Sequence, residues 1–173
     1  MFSLYFQRVN GLSPFTTGLA FLPVMGAVLP VNLLAARVTE RIGAPATIAL
    51  GAGLSAAGCL ALLGIGQGTS YWEIGAQLTI MGGGLGLLVP PLTSTLLGSV
   101  EKSRSGIAAG VLNATRQTGS VLGVALFGSL VSGAGAFMAG PHQALIISAC
   151  LLLIAGAATW RGASARGPGS APR

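Results

Sequence analysis

Residues 113–128 read NATRQTGSVLGVALFG. They set Arg116 half-way along a segment that is otherwise apolar enough to cross a bilayer, and that contradiction governs the reading of the whole chain. At about 100° per residue, Ala109, Asn113, Arg116, Ser120, Gly123 and Phe127 fall within about 80° of one another. A polar stripe with apolar flanks points away from lipid. Arg116 lies ten residues beyond Gly106, roughly 15 Å along the helix and near the bilayer midplane. A central arginine costs about 2.5–3.5 kcal/mol on insertion scales, so chance placement is a poor explanation. Two roles fit. Arg116 binds an anionic or polar substrate group or pairs with a carboxylate elsewhere in a transporter; or it is held structurally, by carbonyls of a broken helix or by reaching along its own stem to the interface.

The 173 residues are 52% hydrophobic and 7% charged, with a mean hydropathy of +0.79. Soluble domains carry about a quarter charged residues, so the solvent implied here is lipid. Charge-free runs cover 9–36, 42–72 and 74–100, and 117–172 is interrupted only by Arg161 and Arg166. Each run holds at least one crossing of about 20 residues. The fold class expected is therefore an all-α integral membrane protein, since hydrocarbon demands closed backbone hydrogen bonding and the runs lack β-barrel alternation. The net charge of +6 falls in short clusters between apolar runs, which is a topology signal and not a nucleic-acid footprint.

Five spans are expected, at about 16–36, 46–66, 74–97, 106–130 and 143–160, preceded by a stub of one more helix at 1–7. Residues 1–160 thus form one transmembrane domain and 161–173, RGASARGPGSAPR, a disordered tail. MFSLYFQRVNGLSP lacks the features of a signal peptide. Arg37, Arg41, Lys102, Arg104, Arg161, Arg166 and Arg173 fall on one side of a five-span chain and Arg8 on the other. The positive-inside rule then places the carboxy terminus in the cytoplasm of a cell carrying this protein in its plasma or inner membrane.

Spans two and five carry almost no hydrogen-bonding side chains, which suggests lipid-facing or peripheral positions. Spans one, three and four carry Pro23, Pro30 and Asn32; Gln77, Thr79, Pro90, Pro91, Thr93 and Ser94; and Asn113, Arg116, Gln117 and Ser120. Polar groups and helix breakers at membrane depth are tolerated where protein or a water-filled cavity receives them. Asn113, Arg116, Gln117, Ser120 and Gln77 are accordingly the substrate-cavity candidates.

In IMGGGLGLLVPP, residues 80–91, Gly82, Gly83, Gly84 and Gly86 precede Pro90 and Pro91. Glycines permit close backbone approach, and the proline pair should kink or interrupt the helix near its cytoplasmic third, so the segment reads either as close packing or as a hinge. ARVTERIGAP, residues 36–45, reads as a short loop whose charges set topology or, through Glu40 and Arg41, make state-dependent ion pairs. His142 reads as an ordinary residue at an outer helix end. Cys59 and Cys150 lack the spacing of a disulfide or metal motif. With no Asp and a single His, no constellation supports an enzyme, and no metal or cofactor is expected.

LYFQRVNGLSPFTTGLAFLP, ARVTERIG, GGGLGLLVPPL and SGIAAGVLNATRQTGSVLGVALFG, in this order, resemble the carboxy-terminal part of the fourteen-span drug/proton antiporter branch of the major facilitator superfamily. The resemblance covers nearly the whole chain to Trp160. In the superfamily's loop pattern the chain keeps Arg41 and Gly43, with Glu40 in place of the aspartate, so these three are the candidate gate residues. It has Ala36 for the first glycine, and Ala44 and Pro45 for the trailing basic pair. The resemblance implies an incomplete carboxy-terminal half of a transporter, with spans one, three and four lining a central cavity. It implies proton-coupled efflux of drugs or other small hydrophobic compounds by the complete protein, and a missing amino-terminal half or partner chain against which this piece moves. The competing reading is a stand-alone membrane protein that does not transport, either a truncation product or an interacting subunit. The partners expected are the lipid bilayer, a small-molecule substrate and protons, and no nucleic acid.

Overall fold

The computed structural model describes residues 13–20, 22–64, 69, 71–132 and 139–165. Among them every regular element is helical. Helix α1 spans Pro14–Ala20, α2 Leu22–Ile42, α3 Ala44–Ala61, α4 Tyr71–Gly98, α5 Ser105–Ser132 and α6 Ala139–Ala165, with 3₁₀ turns at Leu62–Gly64 and Lys102–Arg104. The stub at 1–7, Arg8 and the tail beyond Ala165 lie outside the described residues.

Three segments, Ala44–Gly64, Trp72–Gly98 and His142–Ala163, are long and apolar enough to cross a membrane. The 21-residue α2 and the 28-residue α5 also exceed the length of a crossing. In α5 the polar run from Asn113 to Ser120 dilutes the apolar content. Hydroxyl groups inside the helices are largely neutralised by their own backbone. Thr79 Oγ1 donates to Gly75 O at 2.7 Å, Thr115 to Val111 O at 2.9 Å, Thr118 to Ala114 O at 3.0 Å and Ser148 to Ala144 O at 2.9 Å. This local bonding lets threonine and serine sit at membrane depth without a partner on another helix.

Two expectations need correction. The stretch 36–45 is not a loop: α2 runs through Ile42, and a single residue, Gly43, separates it from α3. Gly43 has φ 85° and ψ 158°, a backbone region open essentially to glycine. It donates its N–H to Thr39 O at 2.9 Å. Its carbonyl receives Thr47 N–H at 3.1 Å and Thr47 Oγ1 at 2.8 Å. Pro45, in the first turn of α3, starts that helix where its missing N–H has no partner to lose. The second correction concerns the tail. α6 continues through Arg161 to Ala165, so 161–165 is helical, because the alanines and the arginine in this stretch suit a helix better than the glycine and proline that follow.

The core sits around α3, which packs against α2, α4 and α6. Ala56, Cys59, Leu62, Ile74, Leu78, Leu145 and Ala149 form its buried cluster. This differs from the lipid-facing or peripheral position expected for span two. A dearth of hydrogen-bonding side chains does not predict lipid contact, because membrane helices associate through small residues that admit a neighbour's backbone. Gly51, Ser55 and Gly58 are buried on the α3 face that meets α4. A Cβ on Gly51 would stand 2.6 Å from Gly84 O, and one on Gly58 would stand 2.7 Å from Met81 N. Ser55 Oγ donates to Met81 O at 3.0 Å across the same contact.

Candidate functional site

α4 and α5 are antiparallel neighbours joined by a short connection (residues 99–104), so residues near the end of α4 share a level with residues near the start of α5. Thr93 lies five residues before Gly98, and Arg116 eleven beyond Ser105. At about 1.5 Å per residue the difference in height is about 9 Å. Helical side chains lean toward the helix amino terminus, and arginine is long enough to cover that gap. Arg116 Nη2 donates to Thr93 Oγ1 at 2.6 Å. Thr93 Oγ1 in turn donates to Val89 O at 2.8 Å, which fixes the hydroxyl proton on the carbonyl and turns a lone pair toward the guanidinium. Arg116 is thus held to the segment that carries Pro90 and Pro91, through which α4 remains helical.

The remaining N–H groups of Arg116 have no acceptor among the described residues, and the side chain is exposed. Asn113, Gln117 and Ser120 are likewise exposed and make no side-chain hydrogen bond among the described residues. α5 is open along almost its whole length: Ile107 is 71% exposed and Val124 73%. Its half-buried positions, Ala108, Leu112, Gly123, Phe127 and Leu130, lie on one side that overlaps the edge of the polar stripe. Among the described residues the side chains of the stripe from Asn113 through Arg116 to Ser120 make one hydrogen bond to another helix, that of Arg116 to Thr93.

Gln77 is apart from this group, two turns from the α4 start at Tyr71. It is half-buried, and its Oε1 is buried with no hydrogen-bond partner among the described residues. The structure does not bring it to Arg116.

The glycine run of α4 serves two neighbours. Gly82, Gly83, Gly84 and Gly86 are all buried. A Cβ on Gly84 would overlap Ser55 Oγ and stand 2.6 Å from Gly51 O on α3, whereas one on Gly86 would stand 3.2 Å from Val31 Cγ1 on α2. Glycines on both faces let α4 lie between two helices at once. Glu40 and Arg41 are exposed on the last turn of α2 and form no ion pair among the described residues.

Sequence reasoning missed two contacts. Thr93 was visible only as one more polar residue; the height match across the α4–α5 connection was the signal available. His142 Nε2 lies 2.9 Å from Leu63 O, joining the start of α6 to the end of α3, and no periodicity marks it. Two apolar grooves, of ≈ 250 and ≈ 290 Å³, run along the α3–α6 seam and share Trp160; they are lined by neither α4 nor α5. Among the described residues no group of His, Cys, Asp and Glu could hold a metal ion.

A bundle of long apolar helices with one polar, unpartnered helix face invites comparison with membrane carriers. The chain is 30% identical over 162 residues to the methylenomycin A resistance protein of Streptomyces coelicolor, covering 93% of this chain and 34% of that protein. It is 36% identical over 144 residues to the puromycin resistance protein pur8 of Streptomyces alboniger, covering 80% and 28%. It is 33% identical over 128 residues to the multidrug resistance protein Stp of Mycobacterium tuberculosis, covering 74% and 24%. The chain thus spans about a third or less of the length of these curated relatives. No solved structure matches it. The model of the Major Facilitator Superfamily matches residues 1–172, and with helices of this length and polarity the chain is a multi-pass membrane protein that belongs to that superfamily.

Proposed function

We propose that the chain supplies the carboxy-terminal helices of a proton-driven efflux transporter for drugs or other small hydrophobic compounds, with the Asn113–Arg116–Ser120 face of α5 as one wall of its substrate cavity. The observation that carries this reading is the unpartnered polar stripe of α5. Exposed to hydrocarbon, an arginine with unused donors and two side-chain amides would cost several kcal/mol. The stripe is stable only against a water-filled cavity or another polypeptide. The names of the relatives, which speak of resistance to methylenomycin A, to puromycin and to multiple drugs, support drug-like substrates. The clusters Arg37/Arg41 and Lys102/Arg104 and Arg161 support a cytoplasmic carboxy terminus in the plasma membrane. In this reading Pro90 and Pro91, close to Arg116's anchor on Thr93, serve as the hinge of α4, and Glu40 and Arg41, exposed beside Gly43, form ion pairs in another state.

The test is export of Nile red, a neutral hydrophobic dye, from an efflux-deficient host that expresses the complete reading frame to which this chain belongs, with and without a protonophore. Export that stops with the protonophore supports the reading. Absence of export at normal protein level overturns it. The alternative, a stand-alone protein that does not transport, shares the exposed α5 and predicts cross-linking of Ser120→Cys to a second copy instead of to further helices of the same transporter.

A further inference from the structure

We propose that Arg116 and Thr93 form a two-helix subsite for an anionic group, a carboxylate or a related oxyanion, on the transported molecule, and that Thr93 positions the guanidinium for it. The inference rests on the reading of α5 as a cavity wall and adds to it the chemical class of ligand and a second residue. Three observations carry it.

The first is the direction of the bonds. Thr93 Oγ1 donates to Val89 O and accepts from Arg116 Nη2, so the threonine satisfies one edge of the guanidinium and leaves its other N–H groups pointing elsewhere. The planar fork of arginine matches a carboxylate through two parallel bonds, and a fork held by an auxiliary contact loses less freedom when it binds.

The second is the absence of a competing acid in the chain. Its three acidic residues are Glu40, Glu73 and Glu101. Glu40 stands in the last turn of α2, Glu73 in the first turn of α4, and Glu101 in the connection before α5. All lie at helix ends, away from the middle of α5, so Arg116 is the only formal charge on the stripe. On this face a cationic group would meet a guanidinium that no acid of this chain neutralises, while an anion would be attracted.

The third is the setting. Asn113 and Ser120 flank Arg116 one turn away on either side and have no side-chain partner among the described residues. They supply further donors along the same line, so a ligand with an oxyanion and additional acceptors would find contacts on three successive turns.

The experiment uses the complete reading frame to which this chain belongs, purified into phosphatidylcholine nanodiscs, and follows the fluorescence of 9-anthracenecarboxylate and its neutral methyl ester. The carboxylate should bind about tenfold more tightly than the ester, equivalent to about 1.4 kcal/mol. Arg116→Gln should remove that preference, bringing carboxylate binding down to the level of the ester. Thr93→Val should reduce it several-fold, and Thr93→Ser, which keeps the hydroxyl, should retain it. Equal binding of the two probes by the natural chain, or no binding of either, overturns the inference. Loss of preference in Arg116→Gln with full preference in Thr93→Val overturns the role of Thr93. Loss of ester binding along with carboxylate binding would show that the residues only hold the helices together, and also overturns it. Nile red export by the complete reading frame is measured separately, so a transporter without this anionic subsite is distinguished from a chain that belongs to no efflux protein.

Discussion

Replacing Gly84 by alanine tests the packing of α4 on α3. The new Cβ would stand 2.6 Å from Gly51 O, whereas ordinary contact begins at 3.4 Å. The shortfall of 0.8 Å must come from moving one helix, because the obstacle is a backbone carbonyl and not the end of a flexible side chain. Overpacking of this kind costs about 1–3 kcal/mol. Separation of the helices also lengthens the Ser55 to Met81 hydrogen bond, worth about 0.6 kcal/mol between membrane helices. Against this, alanine leaves the unfolded chain with less conformational entropy than glycine does, which offsets about 0.4–1 kcal/mol of the loss. The net expectation is destabilisation by about 2 kcal/mol, a factor of about 30 in the folded-to-unfolded ratio. Gly75→Ala, in the same helix, is the control: nothing lies within 4 Å of its added Cβ, so it should be neutral or stabilising. Reversible unfolding in mixed detergent micelles, followed by helical circular dichroism, gives both values. If Gly84→Ala falls within about 0.5 kcal/mol of Gly75→Ala, the usual scatter of surface changes, the α3–α4 contact is not the core of the bundle and the reasoning fails.

Gly43→Ala should destabilise by about 1–3 kcal/mol, because φ 85° with ψ 158° is closed to residues with a Cβ; an unchanged melting midpoint would show that the α2–α3 junction adopts another backbone path. Cys150 is exposed and Cys59 is buried. Cys150→Ala should therefore change stability by less than about 0.5 kcal/mol, whereas Cys59→Ala should destabilise by more than about 1 kcal/mol, and equal effects in the same unfolding assay would contradict the buried cluster around α3.

Much of the site was legible in the one-dimensional pattern. The spacing of Asn113, Arg116 and Ser120 placed them on one stripe, and their cost in hydrocarbon marked that stripe as needing a polar surrounding. Thr93 was not legible as Arg116's partner, since its hydroxyl resembles that of Thr79 or Thr115, each bonded to its own helix. Only the meeting of two antiparallel helices turns one such hydroxyl into an acceptor for a guanidinium 23 positions away. Gly43 was legible as part of a loop motif but not as the loop's entire length. That required knowing that α2 continues through Glu40 and Arg41 to Ile42.

By itself the sequence determined that this chain is helical and that it lives in lipid, and it marked one face of α5 as polar. These follow from transfer free energies and from periodicity, both properties of a single helix in its solvent. The tertiary structure decided which helix is central. α3, poor in polar side chains, became the hub because Gly51, Ser55 and Gly58 admit the backbone of α4, whereas the polar α5 was left open. Close approach depends on how two helices are rotated and on what each presents at the crossing, and that information resides in the pair and not in either sequence segment.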